Sequence, residues 1–200
     1  QLTPSSSSAS TNISTVVVVT LGLEDSNAVR ELTLLAVDIS STFVALSDEF
    51  VLDVAGNVNN VIENTTAQQA SSFTADTTSP ELVSVAVNMS HVPTLVLSFT
   101  ESVNTTSMDL TELTLSASNQ SLNHSFTLRG GDVVTNNSDV VYIKLTVGDA
   151  NAIKRNTELA VSTDTMHVSF GSAFVEDMVG NTVAVVSASS GLGASTFTSD

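Results

Sequence analysis

The sequence has no cysteine and no tryptophan, one tyrosine, three prolines and only five basic residues in 200. Without cysteine there is no disulfide, no thiolate metal site and no thiol nucleophile. Secretion is not thereby excluded, because a domain with a sizeable core is stable without covalent staples. Against those five Lys and Arg stand 21 acidic residues, a net charge of −16. Phosphate recognition needs clustered Lys and Arg, so nucleic acid is excluded as a partner, and an anionic membrane surface is disfavoured on the same ground. No apolar run approaches the roughly 20 residues of a transmembrane helix, so no membrane insertion is expected; Val16-Val17-Val18-Val19 spans four. No signal-peptide pattern opens the chain, and a start at Gln1 fits a processed terminus or the edge of a longer array.

Catalytic patterns are missing as well. His91, His124 and His167 are scattered, with no zinc-type spacing, and there is no Gly-x-Ser-x-Gly elbow or phosphate-cradling glycine loop. Glu101 with a second carboxylate would imitate a glycosidase pair, but such coincidences are unavoidable among 21 acids. No catalytic residue, cofactor, metal ligand or small-molecule substrate is assigned. The chain reads as a non-enzyme.

Serine and threonine are abundant, 31 and 26 residues, and hydrophobic residues make up 42%. That combination is ample for a core and favours strands over disorder. The most informative feature is a repeat. Displacing the chain by 124 residues superimposes 11–76 on 135–200 without a gap, and over a third of the 66 positions are identical. Among the identities are Asn12/Asn136, Asp25/Asp149, Asn27/Asn151, Phe50/Phe174, Asp53/Asp177, Gly56/Gly180, Asn57/Asn181, Phe73/Phe197 and Asp76/Asp200.

Both copies carry the same local chemistry. Residues 16–23 and 140–147 read as strands apolar on both faces. Asp25 and Asp149 are expected to cap short helical turns at 27–30 and 151–154. Residues 42–46 and 166–170 alternate as half-buried strands, and 50–57 and 174–181 read as strand, Gly-Asn turn, strand. Upstream of the second copy, 82–87, 95–99, 113–115 and 126–128 are strand-like, with Gly130-Gly131 as a turn. The expected fold is all-β, with sandwich modules. Residues 1–10 form a Ser-rich segment suited to a linker or to O-linked sugar, 11–76 a partial module equal to the back half of the repeat, and 77–200 a complete module.

These residues resemble the tandem Ig-like repeats of large bacterial and protist cell-surface and fibre-forming proteins. The resemblance rests on the hinge Asp76-Thr77-Thr78-Ser79-Pro80, the motif Phe99-Thr100-Glu101-Ser102-Val103 and the turns Asp53 to Asn57 and Asp177 to Asn181. Ser79 stands where the family pattern has a first proline. The resemblance implies Ig-like sandwiches in tandem with a surface, adhesive or scaffolding role, and no active site.

Seven Asn-x-Ser/Thr sequons, at Asn12, Asn64, Asn88, Asn104, Asn119, Asn123 and Asn136, point to N-linked glycans and a secreted glycoprotein. The acidic turns would offer calcium oxygen ligands from Asp53 and Asn57, but they lack the dense Asp-x-Asp-x-Asp-Gly array, and an Asp bonding its own turn amides is the reading adopted.

A partial module leaves apolar faces and strand edges open. Either upstream strands complete it, or a neighbouring molecule does so by strand addition. The second option makes a head-to-tail contact that propagates as a filament, with Thr15, Val16, Val17, Val18, Val19, Leu21 and Leu23 as the assembly strand. The expectation is therefore an extracellular or cell-surface structural protein that self-associates. The rival is an Ig-like adhesin or carbohydrate-binding surface module, with calcium stiffening as a variant. Such modules usually stack sugars on aromatic platforms, which one tyrosine, Tyr142, scarcely supplies.

Overall fold

The computed structural model describes residues 2–3, 7–8, 14–118 and 124–200. The chain divides into two compact units, Gln1–Asp76 and Thr77–Asp200, with the boundary between Asp76 and Thr77. The described residues are mostly strand and turn, in several sheets, with two α-helices.

In the first unit β1 (Ser7–Ser8) pairs antiparallel with β2 (Val19–Thr20). A helix, α1 (Leu23–Arg30), follows; then β3 (Phe43–Val44) pairs with β4 (Gln68–Gln69), and single bridges join Leu46 to Ile62 and Leu52 to Val58.

The second unit has two larger sheets. Its strands are β5 (Leu82–Asn88), β6 (Thr94–Asn104), β7 (Thr114–Ser116), β8 (Ser125–Thr127), β9 (Gly131–Val133) and β10 (Ser138–Leu145). After α2 (Val147–Arg155) come β11 (His167–Ser169), β12 (Glu176–Asp177), β13 (Leu192–Gly193) and β14 (Thr196–Thr198). One sheet runs β14-β5-β6-β10-β9, with β12 also paired to β6, and the other runs β13-β11-β7-β8. All pairings are antiparallel except that of β14 with β5.

Side-chain alternation explains the layering. In β6 Leu95, Leu97 and Phe99 are buried, in β10 Val141, Ile143 and Leu145, and in β5 Val85 and Val87. Leu115 of β7 and Val168 of β11, from the other sheet, join the same core. The regular pleat of β6 breaks beyond Ser98: against β10 the register jumps from Val140 opposite Ser98 to Ser138 opposite Val103, against β5 the extra residue is Val83, between Ser84 opposite Ser98 and Leu82 opposite Phe99, and Glu101, Ser102 and Val103 are buried in succession. The Phe99 to Val103 motif thus lies on a bulge that lets one strand serve β5 and β10 with its first half and β12 with its last residues.

Three expectations are corrected. Residues 140–147 are not a strand apolar on both faces: β10 ends at Leu145, Tyr142 and Lys144 are exposed, and Val147 opens α2. Asp149 does not cap that helix. Thr146 is the cap, its hydroxyl accepting from the Asp149 amide at 3.0 Å. Likewise α1 begins at Leu23, with Gly22 in the cap position and Asp25 inside the first turn. Asp is the nearest capping residue to each helical run in sequence, but the cap position lies three residues earlier in each copy, at Gly22 and Thr146.

Candidate assembly surface

The buried hydrophobic core residues among those described lie between Val85 and Val183, all in the second unit. Among the described residues of the first unit the buried side chains are two polar ones, Asp25 and Asn27. The contrast falls on matched residues. Leu21 is 41% exposed and Leu145 4%; Val44 is 48% exposed and Val168 0%; Phe50 is 43% exposed and Phe174 0%. Val17/Val141, Leu35/Leu159 and Val51/Val175 behave alike. Identical side chains at equal repeat positions therefore differ in what lies against them, not in intrinsic preference.

Hydrogen bonding recurs in the two units with a 124-residue offset. Asp53 Oδ1 accepts from the Ala55 and Asn57 amides at 2.9 and 2.8 Å while Oδ2 accepts from Asn57 Nδ2 at 2.8 Å. Asp177 does the same with the Val179 and Asn181 amides and Asn181 Nδ2, at 2.9, 2.8 and 2.8 Å. Gly56 and Gly180 supply the left-handed residue, φ +86° and +95°. The Asn57 side chain, then its amide, holds the Asp53 carboxyl below the usual carboxylate range. These carboxylates organise their own turns.

Ala36 and Ala160 both adopt left-handed backbone, φ 53° and 54°, and donate to the Ser41 and Thr165 carbonyls at 3.1 and 2.9 Å. Arg30 pairs with Asp76 at 3.0 Å, and Lys154 with Asp200 at 2.9 Å. Sequence reasoning missed the work of Asp25 and Asp149. Asp25 accepts from the Thr3 amide at 2.9 Å, tying α1 to the chain ahead of β1, and Asp149 from the Arg129 amide at 2.8 Å, tying α2 to the chain ahead of β9. An acid kept at one repeat position was the available signal.

The segment proposed for assembly is solvent-facing throughout: Thr15, Val16, Val17, Val18, Val19, Leu21 and Leu23 are all exposed. Only Val19 and Thr20 are paired as strand, and Leu23 belongs to α1, so the strand reading is corrected at that residue. β2 has one strand neighbour, β1, among the described residues. Its counterpart β10 lies between β6 and β9.

The sequon residues Asn64, Asn88 and Asn136 are exposed and Asn104 is half-buried, while Asn12, Asn119 and Asn123 lie outside the described residues. Asn88 Oδ1 accepts from the Ser90 amide and hydroxyl, and Asn104 Oδ1 from those of Thr106, so in both the third sequon residue folds back on the first. Of the histidines, His167 borders an open cavity of about 520 Å³ with Ser118, Thr163, Asp164 and Gly193. Its Nδ1 is buried without a hydrogen-bond partner. His91 and His124 do not line that cavity. No described helix is long and apolar enough to cross a membrane. Comparison with protein-family models, with curated proteins and with solved structures finds no match to this chain.

Proposed function

We propose that this chain is a non-enzymatic structural component of an extracellular surface or fibre assembly, built of Ig-like β-sandwich modules in tandem, in which 77–200 is a whole module and 11–76 the back half of another. The observation that carries the proposal is the first unit's apolar surface, exposed at the residues whose repeat counterparts form the second unit's core. A surface of that kind on a folded chain is a place where other polypeptide packs. Strands added from outside residues 1–200 would cover it, and repetition of such a junction gives an extended fibre. Supplied by a neighbouring molecule, the contact is head-to-tail and grows into a filament unless it closes. The Ser/Thr-rich, acidic surface and the sequons support an extracellular glycoprotein.

Negative-stain microscopy and light scattering of native material test the reading. Fibres or extended arrays are expected, with their growth reduced on deleting residues 1–23. Compact monomers indifferent to that deletion would remove the proposal. Retention on a glycan array, or thermal stabilisation by calcium, would instead favour the adhesin reading. Intact-mass measurement before and after enzymatic removal of N-linked glycans decides the sequons separately.

A further inference from the structure

Resting on the reading of the first unit as half a module, we infer that its exposed face is the seat of one particular occupant: a stretch of about 50 residues with the strand pattern of β5 to β8, joined covalently ahead of Thr3 in the same polypeptide.

Arithmetic first excludes copies of residues 1–200 as the complete answer. Each copy holds two back halves, 11–76 and 135–200, and one front half, 77–134. Exchange of front halves between copies, in any number, leaves one back half per chain uncovered. A lone added strand is also insufficient. In the second unit the side chains matching Val17 and Leu21 are buried beside β6, while those matching Val44 and Phe50 belong to the sheet and loops that carry β7. Covering both sets takes strands in both sheets.

Continuity fixes where the segment comes from. Shifted by 124, Ser7 and Ser8 fall on Gly131 and Asp132, so β1 is the counterpart of β9. β1 lies beside β2 as β9 lies beside β10, one residue out of register: Ser8 pairs with Val19, whereas Asp132 pairs with Lys144. The Thr3 amide meets the Asp25 carboxylate as the Arg129 amide meets that of Asp149. The back half of the first unit thus continues N-terminally into the last strand of its own front half. In the second unit the chain running back from β9 reaches β8, β7, β6 and β5 in turn. The same course ahead of Thr3 places a β6-like strand along β2, with its Leu97 equivalent opposite Val17 and its Leu95 equivalent opposite Val19, the β6–β10 register carried over.

The test adds that segment to the full chain. Since the Thr3 amide stands where the Arg129 amide stands, a second copy of residues 77–128 is joined directly to Thr3, and the extended chain is compared with residues 1–200 by light scattering and amide hydrogen exchange at residues 16–21 and 42–51. The expected result is a monomeric extended chain in which those amides exchange more than about 100-fold more slowly than in residues 1–200. A control with serine at the added copies of Leu95 and Leu97 should lose the protection. If residues 1–200 alone self-assemble and protect the same amides, the occupant is another copy, which overturns this inference and leaves the proposed function standing. If residues 1–200 are monomeric and already protected there, or the extension protects nothing while the chain stays monomeric, the half-module reading itself falls.

Discussion

Leu145→Ala and Leu21→Ala make the same chemical change at matched positions and should have opposite consequences. Leu145 is 4% exposed, at the end of β10 inside the core, whereas Leu21 is 41% exposed. Removing a buried leucine side chain costs its transfer free energy plus the cavity left behind, about 2–5 kcal/mol. Taking about 3 kcal/mol, and about 4 °C per kcal/mol for a unit of this size, the second unit's Tm should fall by about 12 °C. Leu21→Ala takes little from a packed environment and should cost below about 0.5 kcal/mol, a shift within about 2 °C. Calorimetry or urea denaturation of the full chain, at a concentration where light scattering shows monomers, reads both. The same pairing can be run on Phe174→Ala and Phe50→Ala, 0% and 43% exposed. Equal losses within either pair would refute the reasoning, because they would mean that the first unit's residues are packed in a core of their own.

Gly180→Ala should cost about 1 kcal/mol through backbone strain alone, since φ is +95° and a Cβ there would meet nothing within 4 Å; Gly180→Asn, which tolerates that region better, should lose less in the same melts. Ala160, at φ 54°, is strained in the wild type, so Ala160→Gly should be neutral or stabilising by up to about 1 kcal/mol, and a clear loss would refute the strain argument. Thr146→Ala removes the cap of α2 and should cost about 1 kcal/mol, with Thr146→Ser retaining most of it. Hydrogen bonds from Asn57 lower the Asp53 carboxyl, from Thr111 that of Asp109, and from Ser40 and Ser41 that of Asp38. A folded-state value below the unfolded one stabilises above the unfolded value, near pH 4, and the contribution is lost as pH falls through the folded value. NMR titration of these carboxyls should therefore give midpoints below about 3.8, and Asp53→Asn should flatten the acid limb of the turn's own shifts.

What was legible in the sequence was chemistry carried by a few neighbouring residues. The Asp53 and Asp177 turns close within four residues on a glycine that must be left-handed, and both were readable from Asp-x-x-Gly-Asn. Strands over 82–87, 95–99, 113–115 and 126–128 were readable from alternation and appear as β5 to β8. Three features were not readable. β14 pairs parallel with β5 across more than 100 residues of chain, a choice that no local pattern records. The bulge of β6 opposite β10 leaves Glu101, Ser102 and Val103 buried in succession, which defeats a period of two. The helix starts were missed because Thr146 looks like the end of a strand, and its hydroxyl becomes a cap only once the chain leaves β10.

The two copies also separate what local sequence secures from what needs a neighbour. Val16 and Val17 are identical to Val140 and Val141, with equal β-propensity, yet β10 runs for eight residues and β2 for two. Propensity of that order is worth a fraction of a kcal/mol per residue and does not hold a strand without ladder bonds and a face to pack on. β10 has both, from β6 on one side and β9 on the other; β2 has β1 alone among the described residues. The short-range bonds survive that loss intact: the Ala36 and Ala160 turns, the Asp53 and Asp177 turns and the Leu46 and Phe170 bridges recur atom for atom. On the proposed reading the first unit is a preorganised receptor, its turns set and its apolar residues exposed, and the missing term is the burial that a front half would bring. The same division fixes the order of events if the inference holds: turns and helix first, at low cost in chain entropy, and the long strand beside Val17 and Val19 only when its β6-like partner docks.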